Sequence, residues 1–325
     1  MIHCRPVLLK KYAMRNVQDL THAVINQPPE FIHTNLYDGD QALRHWVDSL
    51  GGSWGAERLS TYGQLAGGRL MELGFQANAQ RPQLRSHDRF GHRMDQVEFH
   101  PAYHELMATA IAHGIPSLPW AQPGDGAQVV RAALMYLHNQ VEAGTCCPLT
   151  MTFASVPALS KQPDVAEQWL PKILSKEYDS RFLPIAEKTG ATIGMGMTEK
   201  QGGSDVRTNT TRATAMGPEG AGQPYALVGH KWFFSAPMCD AFLVLAQTER
   251  GVSCFLVPRF RPDGSQNAIG IQRLKDKLGD HANASSEVEF YDAWGVMVGG
   301  EGRGVPTILE MVMHTRLDCR IGSSG

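Results

Sequence analysis

A chain of 325 residues is long enough for about two compact domains and a sizeable hydrophobic core. Its 30 Lys and Arg against 32 Asp and Glu give a formal net charge of −2, which excludes nucleic-acid or membrane binding driven by an overall basic surface. Hydrophobic residues make up 42% and no apolar run approaches the roughly 18 residues of a membrane-spanning helix, so a soluble globular protein is predicted.

The N-terminal segment carries no recognisable export signal. Its apolar stretch Val7–Leu9 is too short for the core of a signal peptide, and Met14 is an alternative start. We therefore expect residues 1–25 to form a disordered extension. The six cysteines include no CxxC pair, which indicates neither a zinc framework nor a disulfide scaffold and favours the reducing cytoplasm.

Residues 26–190 are predicted to form a helical N-terminal domain. Apolar residues recur at three- and four-residue steps between Val129 and Val141, and Gly144 stands where a C-cap glycine would end that helix. Glycine and proline predict loops over Gln76–Arg89 and Pro116–Gly126. Three weaker helical patterns complete the domain: Ala42–Leu50, Ala102–Ala112 and Val165–Leu170.

Residues 191–302 are predicted to form a middle β-domain. Short runs rich in β-branched and aromatic residues follow one another there without helices of about 10 to 15 residues between them. This order favours an antiparallel sheet or small barrel and argues against a doubly wound parallel sheet. The predicted strands are Tyr225–Val228, Trp232–Phe234, Phe242–Ala246, Ser253–Val257 and Val288–Tyr291.

A helical pattern restarts at residue 303, with Val305, Ile308, Leu309 and Val312 on one face. A single helix cannot bury such a face alone, so residues 303–325 are expected to start a C-terminal helical domain that is cut short. The predicted fold class is therefore α+β.

The densest local signal for a ligand is the segment Gly194–Val206, which contains Gly202, Gly203, Ser204 and Asp205. The two glycines let a backbone approach a ligand closely, and the polar residues offer N–H and hydroxyl donors to the oxygens of a pyrophosphate or a flavin. An ordinary turn has the same composition, and the segment is neither a Walker A sequence nor a GxGxxG fingerprint.

Further motifs follow a fixed order along the chain. They are Val141–Gly144 (VEAG), Pro148–Ala154 (PLTMTFA), Met197–Val206 (MTEKQGGSDV), Asn209–Arg212 (NTTR), Val228–Ser235 (VGHKWFFS) and Leu274–Gly279 (LKDKLG). In this order they resemble the acyl-CoA dehydrogenase superfamily, and within it the AidB branch, flavoproteins of the adaptive response to DNA alkylation. The resemblance extends from about Asn26 to Gly325.

The resemblance implies an acyl-CoA dehydrogenase-like fold, in which an N-terminal helical domain precedes an antiparallel β-barrel domain and the C-terminal helical bundle is missing after its first helix begins. It implies FAD as cofactor and acyl-CoA as substrate class. For a full-length form it implies a homotetramer, with double-stranded DNA bound through the C-terminal domain that is absent here.

The resemblance also implies which residues bind FAD. Thr198 would hydrogen-bond the pyrimidine side of the isoalloxazine, Phe233 would pack against the flavin, and Ser235 would donate toward its N5 atom. Ser204 would lie near the cofactor phosphate or the substrate mouth. The full set is Met195, Gly196, Met197, Thr198, Gly202, Gly203, Ser204, Phe233, Phe234 and Ser235. Plain sheet core remains the alternative for at least two of the three aromatic residues of Trp232–Phe234.

The chain departs from the family pattern where the catalytic base would stand. The dehydrogenases use a C-terminal glutamate to remove the substrate α-proton, and a minority place it just before an Arg-Leu pair. That position is Thr315 here, and threonine cannot act as a carboxylate base, so no catalytic residue is assigned. His281 stands near the position of a common family arginine and would replace it only partly.

Three other groups carry weaker signals. His100 and His104 lack the HExxH order, so solvated or capping histidines are expected and no metal site is assigned. The pair Cys146–Cys147 is expected to be buried at a helix end. A basic cluster is expected to be either a solvated loop or a phosphate contact. It consists of Arg81, Arg85, Arg89 and Arg93 with His87 and His92.

Three hypotheses follow. The chain is an AidB-type FAD-binding acyl-CoA dehydrogenase homologue with weak or no dehydrogenase activity, a DNA-associated protection protein whose flavin is structural, or an inactive gene fragment. We expect residues 1–325 alone to bind FAD weakly or not at all, since half of the flavin site would be missing, and to show no acyl-CoA turnover. The apolar face around Leu309 and Val312 is expected to favour aggregation.

Overall fold

The computed structural model describes residues 21, 22 and 25–325 of the chain. The chain divides into two units, Met1–Ile32 and His33–Gly325. In the first unit, the described residues form no helix or strand, and residues 1–20, 23 and 24 of the expected extension lie outside the described residues. No helix in the described part of the chain is long and apolar enough to cross a bilayer.

The first half of the second unit is mainly helical. Apolar faces at helical spacing build one hydrophobic core here, which includes Leu59, Leu106 and Leu134. The predicted helices are confirmed to within a few residues. The helices are α1 (Gln41–Ser49), α2 (Ala56–Leu65), α3 (Met71–Ala79), α4 (Pro101–Ala112), α5 (Leu118–Ala121), α6 (Ala127–Val141), α7 (Ala143–Leu159) and α8 (Pro163–Ile173).

Gly144 does not cap the end of α6, contrary to the prediction. Helix α6 ends at Val141, and Glu142 is the N-cap of α7, its carboxylate accepting hydrogen bonds from the N–H groups of Gly144 at 2.8 Å and Thr145 at 2.6 Å. A Cβ atom on Gly144 would lie 2.8 Å from the backbone nitrogen of Asn283. Glycine is therefore required here for close packing against another segment, and not for a helix end.

The loop predicted over Gln76–Arg89 is wrong. Helix α3 continues to Ala79, and strand β1 (Gln83–His87) pairs antiparallel with β2 (Arg93–Glu98) in a hairpin. The side chains of β1 alternate between exposed and half-buried positions, but Leu84 is its one large apolar residue, so the pattern escapes a search for hydrophobic alternation. The loop predicted over Pro116–Gly126 contains α5.

Residues from Ile193 to Val298 form a closed β-barrel. Strands β4, β5, β9, β7 and β6 pair in this order, and β6 returns to β4. Strand β3 extends the sheet beside β6, and β8 pairs with β9. The strands are β3 (Ile193–Gly196), β4 (Arg212–Ala215), β5 (Pro224–Ser235), β6 (Ala241–Thr248), β7 (Gly251–Pro258), β8 (Ile269–Leu274) and β9 (Ser285–Val298).

The barrel confirms the predicted fold class with two corrections. β3 and β4 both run parallel to β6, so the barrel is mixed and not strictly antiparallel. The runs Tyr225–Val228 and Trp232–Phe234 belong to the single long strand β5, which bulges twice against β9. Bulges bend a strand and change which face a side chain meets, which explains why β5 resembled two strands in the sequence.

Helix α9 (Gly304–Gly322) confirms the predicted C-terminal helix, but its apolar residues divide between two faces. Ile308 and Met311 are fully buried in the barrel-side core. Leu309, Met313 and Leu317 are 44%, 66% and 53% exposed, and their spacing of four residues places them along one outer stripe. The predicted face that grouped Ile308 with Leu309 is therefore wrong.

Candidate functional site

The two segments expected to bind a flavin meet at one end of the barrel. Strand β3 ends at Gly196, and the backbone N–H of Trp232 donates to the carbonyl of Thr198 at 2.8 Å. A Cβ atom on Gly196 would lie 2.8 Å from the ring of Phe234, so only glycine lets β3 approach β5 this closely. The structure thus brings together two motifs whose contacting residues, Thr198 and Trp232, are 34 positions apart in the sequence.

A buried ion pair holds these two segments in place. Glu199 Oε1 lies 2.8 Å from Lys231 Nζ, and neither side chain is exposed to solvent. The same carboxylate accepts hydrogen bonds from the backbone N–H and the hydroxyl of both Thr210 and Thr211. Burial disfavours the ionised form of Glu199, but the Lys231 ammonium and these donors outweigh it and lower the pKa of Glu199 to about 2.

After Glu199 the backbone turns back on itself. The N–H of Gly202 donates to the carbonyl of Glu199 at 3.1 Å, and Gly202 has a φ of +132°, a conformation that favours glycine. A Cβ atom on Gly203 would lie 2.6 Å from the Thr198 hydroxyl oxygen. Glycine at position 203 therefore leaves space beside the Thr198 hydroxyl, which has no hydrogen-bond partner among the residues the structure describes.

The remaining expected flavin residues fall into exposed and buried groups. Ser204 is exposed at the turn, Met195 and Met197 are half-buried and pack against the barrel core, and Gly196 is buried. Phe233 is 53% exposed, whereas Phe234 is fully buried, with its ring centre 4.2 Å from that of Phe242 and the two rings tilted by 39°. Ser235 is half-buried, and its hydroxyl lies 3.2 Å from the Ser285 hydroxyl.

The alternation along the end of β5 has a chemical consequence. Phe233 is exposed and Ser235 is half-buried, while Phe234 between them is buried in the barrel core. An apolar ring face beside a hydroxyl donor suits a flat ligand with polar edges. Contact of Phe234 itself with a cofactor stays a prediction.

Lysine and arginine side chains add positive charge beside Phe233. Lys275 Nζ lies 3.4 Å from the ring centre of Trp232 and 4.6 Å from that of Phe233, and it pairs with Glu287 at 2.7 Å. Arg273 pairs with the same Glu287 carboxylate at 2.7 Å. This end of the barrel therefore combines aromatic surface with cations.

Sequence reasoning assigned no role to Glu199, Lys231 or Lys275. All three lie inside motifs that point to the family, at Met197–Val206, Val228–Ser235 and Leu274–Gly279. The acid in Met197–Val206 and the lysine in Val228–Ser235 were the available signal for the buried pair. Periodicity could not reveal it, because the contact joins residues of different strands.

The weaker candidates take structural roles. His100 is the N-cap of α4 and accepts a hydrogen bond from the Ala102 N–H, as expected, and His104 Nδ1 lies 2.9 Å from the Tyr178 hydroxyl. Both cysteines of the pair lie in the first turns of α7, where Cys146 is buried as expected but Cys147 is only half-buried. No cluster of three or more potential metal ligands occurs in the part of the chain that the structure describes.

Apart from Arg81, which precedes β1, the basic cluster lies on the β1–β2 hairpin and not on an irregular loop. Three of its arginines pair with carboxylates: Arg81 with Asp276 at 3.0 Å, Arg85 with Glu98 at 2.9 Å and Arg93 with Asp95 at 2.6 Å. His92 contacts Asp88 at 3.0 Å, Arg89 covers the Phe90 ring and His87 is exposed on β1. The structure thus gives most of this cluster internal partners.

Two family models match the chain over most of its length. Residues 26–180 match the family described as the adaptive response protein AidB N-terminal domain, and residues 194–293 match the acyl-CoA dehydrogenase middle domain. The chain belongs to the AidB branch of the acyl-CoA dehydrogenase family. Its order of a helical domain and a β-barrel is that family's architecture.

Individual relatives agree with this assignment. The chain is 51% identical over 306 residues to AidB of Escherichia coli strain K12, covering 93% of this chain and 56% of that protein. The structure of Caenorhabditis elegans ACDH-11 in complex with C11-CoA superposes with a TM-score of 0.80 at 26% identity, covering 95% of this chain and 54% of the other. The apo form of Bd2924 gives a TM-score of 0.79 at 28% identity, covering 90% and 59%. The chain thus spans about half the length of these relatives.

A minority of the dehydrogenases place the catalytic base just before an Arg-Leu pair, and here that position holds no carboxylate. Thr315 is half-buried on α9, and its hydroxyl donates to the Val312 carbonyl of the same helix at 3.0 Å. A hydroxyl bonded to its own helix backbone is not available to remove a proton from a substrate.

Proposed function

We propose that this protein binds FAD at the barrel end formed by Thr198, Ser204, Phe233 and Ser235. The observation that carries the proposal is the hydroxyl of Thr198, unpartnered among the described residues and held beside β5 by the Trp232–Thr198 backbone bond. An accessible aromatic ring and a second hydroxyl stand on the same strand. This surface fits a flat ring system with hydrogen-bonding edges.

Each residue has a distinct role in this proposal. Thr198 binds the pyrimidine side of the isoalloxazine, and Phe233 covers part of its face. Ser235 donates toward N5, and Ser204 lies near the phosphates. FAD, when bound, supplies the capacity to accept a hydride at N5, and the chain's own residues bind and orient it.

We propose acyl-CoA thioesters as the ligand class of this protein. Membership of the acyl-CoA dehydrogenase family supports this, as does the likeness to ACDH-11 in complex with C11-CoA.

We also propose that the protein acts in the protection or repair of DNA after alkylation, as a homotetramer that binds double-stranded DNA. Its AidB N-terminal domain supports that role.

A catalytically silent flavoprotein is a second candidate. Thr315 favours it, because the alternative base position holds a hydroxyl that is bonded within its own helix. In that case FAD has a structural role, and no acyl-CoA-dependent dye reduction would be observed with residues 1–325.

The FAD proposal is tested by titrating the purified protein with FAD and following flavin fluorescence. We expect Thr198→Ala and Ser235→Ala each to weaken FAD binding by about tenfold, the effect of losing one well-placed hydrogen bond to a ligand. Ser265→Ala, at an exposed turn on another part of the barrel, is the matched control and should leave the affinity unchanged. Unchanged affinity in both site variants would overturn the proposal.

A further inference from the structure

A cavity of about 60 Å³ lies between the helical half of the chain and the barrel. Its wall is built by α4, by Pro148 in α7, by the segment 178–192 that precedes β3 and by the segment 236–240 that follows β5. Ser180 on this wall is exposed, so the cavity lies close to solvent. The cavity shares no lining residue with the proposed FAD site.

The charged groups in the wall of this cavity already have partners. Lys188 Nζ lies 2.8 Å from Asp240 Oδ1, and Arg181 Nη2 lies 2.7 Å from Asp179 Oδ2. Burial lowers the pKa of His104, which favours the neutral imidazole. A charged ligand would therefore be removed from water without a counter-ion of its own, so the cavity favours a neutral ligand.

Two hydrogen-bonding groups in the wall are free. Tyr103 is 5% exposed, and its hydroxyl has no hydrogen-bond partner among the described residues. That hydroxyl is not one of the inaccessible unpaired atoms of the described residues, so its oxygen borders free space. His104 Nδ1 lies 2.9 Å from the Tyr178 hydroxyl, which leaves Nε2 without a partner in the described part of the chain.

These two free groups are neighbours. The ring centres of Tyr103 and His104 lie 5.6 Å apart, and the Tyr103 ring is held by stacking on Phe99 at 4.1 Å. Buried polar groups are nearly always paired, so two adjacent unpaired ones in a cavity wall indicate a ligand that forms hydrogen bonds.

The size of the cavity and its apolar lining limit what this ligand can be. A volume of about 60 Å³ holds roughly four to six water-sized groups. Hydrocarbon and thioether side chains complete the wall, so part of the ligand should be apolar as well. These side chains are Val97, Met107, Pro148, Ala236 and Met238.

We propose that the cavity binds a small neutral alcohol with a short alkyl chain, of about five non-hydrogen atoms. Its hydroxyl would hydrogen-bond the Tyr103 hydroxyl and His104 Nε2, and its alkyl chain would lie against Val97 and Met107. A hydroxyl both donates and accepts, so it pairs with His104 whichever ring nitrogen carries the proton, whereas an ether oxygen only accepts.

Calorimetric titration of the purified protein at neutral pH with 1-butanol and with its isomer diethyl ether tests the proposal. We expect saturable binding of 1-butanol at millimolar concentration, about tenfold tighter than that of the ether, the discrimination typical of one buried hydrogen bond. Butylammonium and propionate, charged ions of similar size, should not bind. A cavity that holds only water would give no saturable binding of 1-butanol, and that result would overturn the proposal, as would equal affinity for the ether or tighter binding of either ion.

Methionine methyl groups report where the alcohol binds. Met107 and Met238 line the cavity, whereas Met313 is 66% exposed on the outer stripe of α9. In NMR spectra of methyl-labelled protein, 1-butanol should shift the signals of Met107 and Met238 with one common saturation curve and leave Met313 unchanged. A shift confined to Met313 would show binding to an exposed apolar surface and would overturn the proposal.

Two tyrosine variants separate ligand recognition from stability. Tyr103→Phe should weaken 1-butanol about tenfold and leave diethyl ether unchanged, without lowering the urea midpoint, because the hydroxyl has no partner within the described residues. The matched control is Tyr225→Phe, since Tyr225 is 2% exposed and its hydroxyl accepts from the Gly220 N–H at 2.9 Å. It should lower the urea midpoint and keep the preference for the alcohol.

The ratio of the two affinities is measured on one sample and does not depend on its folded fraction, so it remains informative if a variant is partly unfolded. A Tyr103→Phe protein that kept the full preference for 1-butanol would overturn the alcohol proposal. Tyr103→Phe should leave FAD affinity unchanged and Thr198→Ala should leave 1-butanol affinity unchanged, so the alcohol and FAD proposals fail independently.

Discussion

The carboxylate of Glu199 lies 2.8 Å from the ammonium of Lys231, and both side chains are completely removed from solvent. One belongs to the glycine-rich segment and the other to strand β5, so the pair joins the two halves of the proposed flavin site. Burial opposes both charges, and the pair persists because Thr210 and Thr211 satisfy the remaining lone pairs of the carboxylate.

We predict that Glu199→Gln lowers the free energy of unfolding by about 3–5 kcal/mol, because it leaves the Lys231 charge buried and unpaired. Urea unfolding measures the change. Glu310→Gln makes the same substitution in an exposed pair with Lys161, and its unfolding midpoint should match that of the unchanged protein. The double variant Glu199→Gln with Lys231→Met should recover part of the lost free energy of unfolding, because it also removes the unpaired charge. If the double variant is less stable than Glu199→Gln alone, the buried Lys231 charge is not the cause of the destabilisation.

The same pair predicts a pH dependence. The folded-state pKa of Glu199 is about 2, below its ordinary value of 4.5, so the unfolded chain binds the proton more readily. The stabilisation is fully present above pH 4.5 and is lost as the pH falls toward 2. The stability difference between the unchanged protein and Glu199→Gln should therefore shrink across this interval. A constant difference from pH 6 to pH 2 would show that Glu199 does not titrate in this way.

The sequence alone predicts a helix or strand wherever the residues of that one element show a clear apolar pattern. The helix Ala127–Val141 was evident from apolar residues at helical spacing, and the strands Ala241–Thr248 and Gly251–Pro258 from β-branched and aromatic runs. The β1–β2 hairpin was missed because its arginine-rich strands carry almost no apolar alternation. Gly144 was misread because its role depends on the distant Asn283, which no local rule contains.

In the candidate site, too, some residues could be predicted from the sequence and others only from the structure. The family motifs gave Thr198, Phe233 and Ser235, which lie at one end of the barrel. The pairing of Glu199 with Lys231 depends on how β3 and β5 meet, and the pairing of Lys275 with Glu287 depends on how β8 and β9 lie side by side. Such contacts arise from tertiary packing, so the sequence alone could not reveal them.

A second buried ion pair holds helix α9 in place. We predict that Asp318→Asn breaks this pair and lets α9 open more readily. Arg131 Nη2 lies 2.7 Å from Asp318 Oδ2, and both residues are 2% exposed. Loss of one partner should cost about 3–5 kcal/mol, because the Arg131 guanidinium stays buried. Amide hydrogen exchange should accelerate within Gly304–Gly322. Asp276→Asn, in an exposed pair with Arg81, is the control, and equal exchange in the two variants would contradict the prediction.

Adjacent phenylalanines at the end of β5 provide the sharpest separation of stability from ligand binding. Phe234 is fully buried against Phe242, so Phe234→Ala should lower the free energy of unfolding by about 3–5 kcal/mol. Phe233 is 53% exposed, so Phe233→Ala should change stability by about 0.5 kcal/mol or less while weakening FAD binding. Urea unfolding and flavin fluorescence on the same preparations measure both effects. If Phe233→Ala destabilised the fold as much as Phe234→Ala and left FAD affinity unchanged, Phe233 would be a core residue and would have no place in the flavin site.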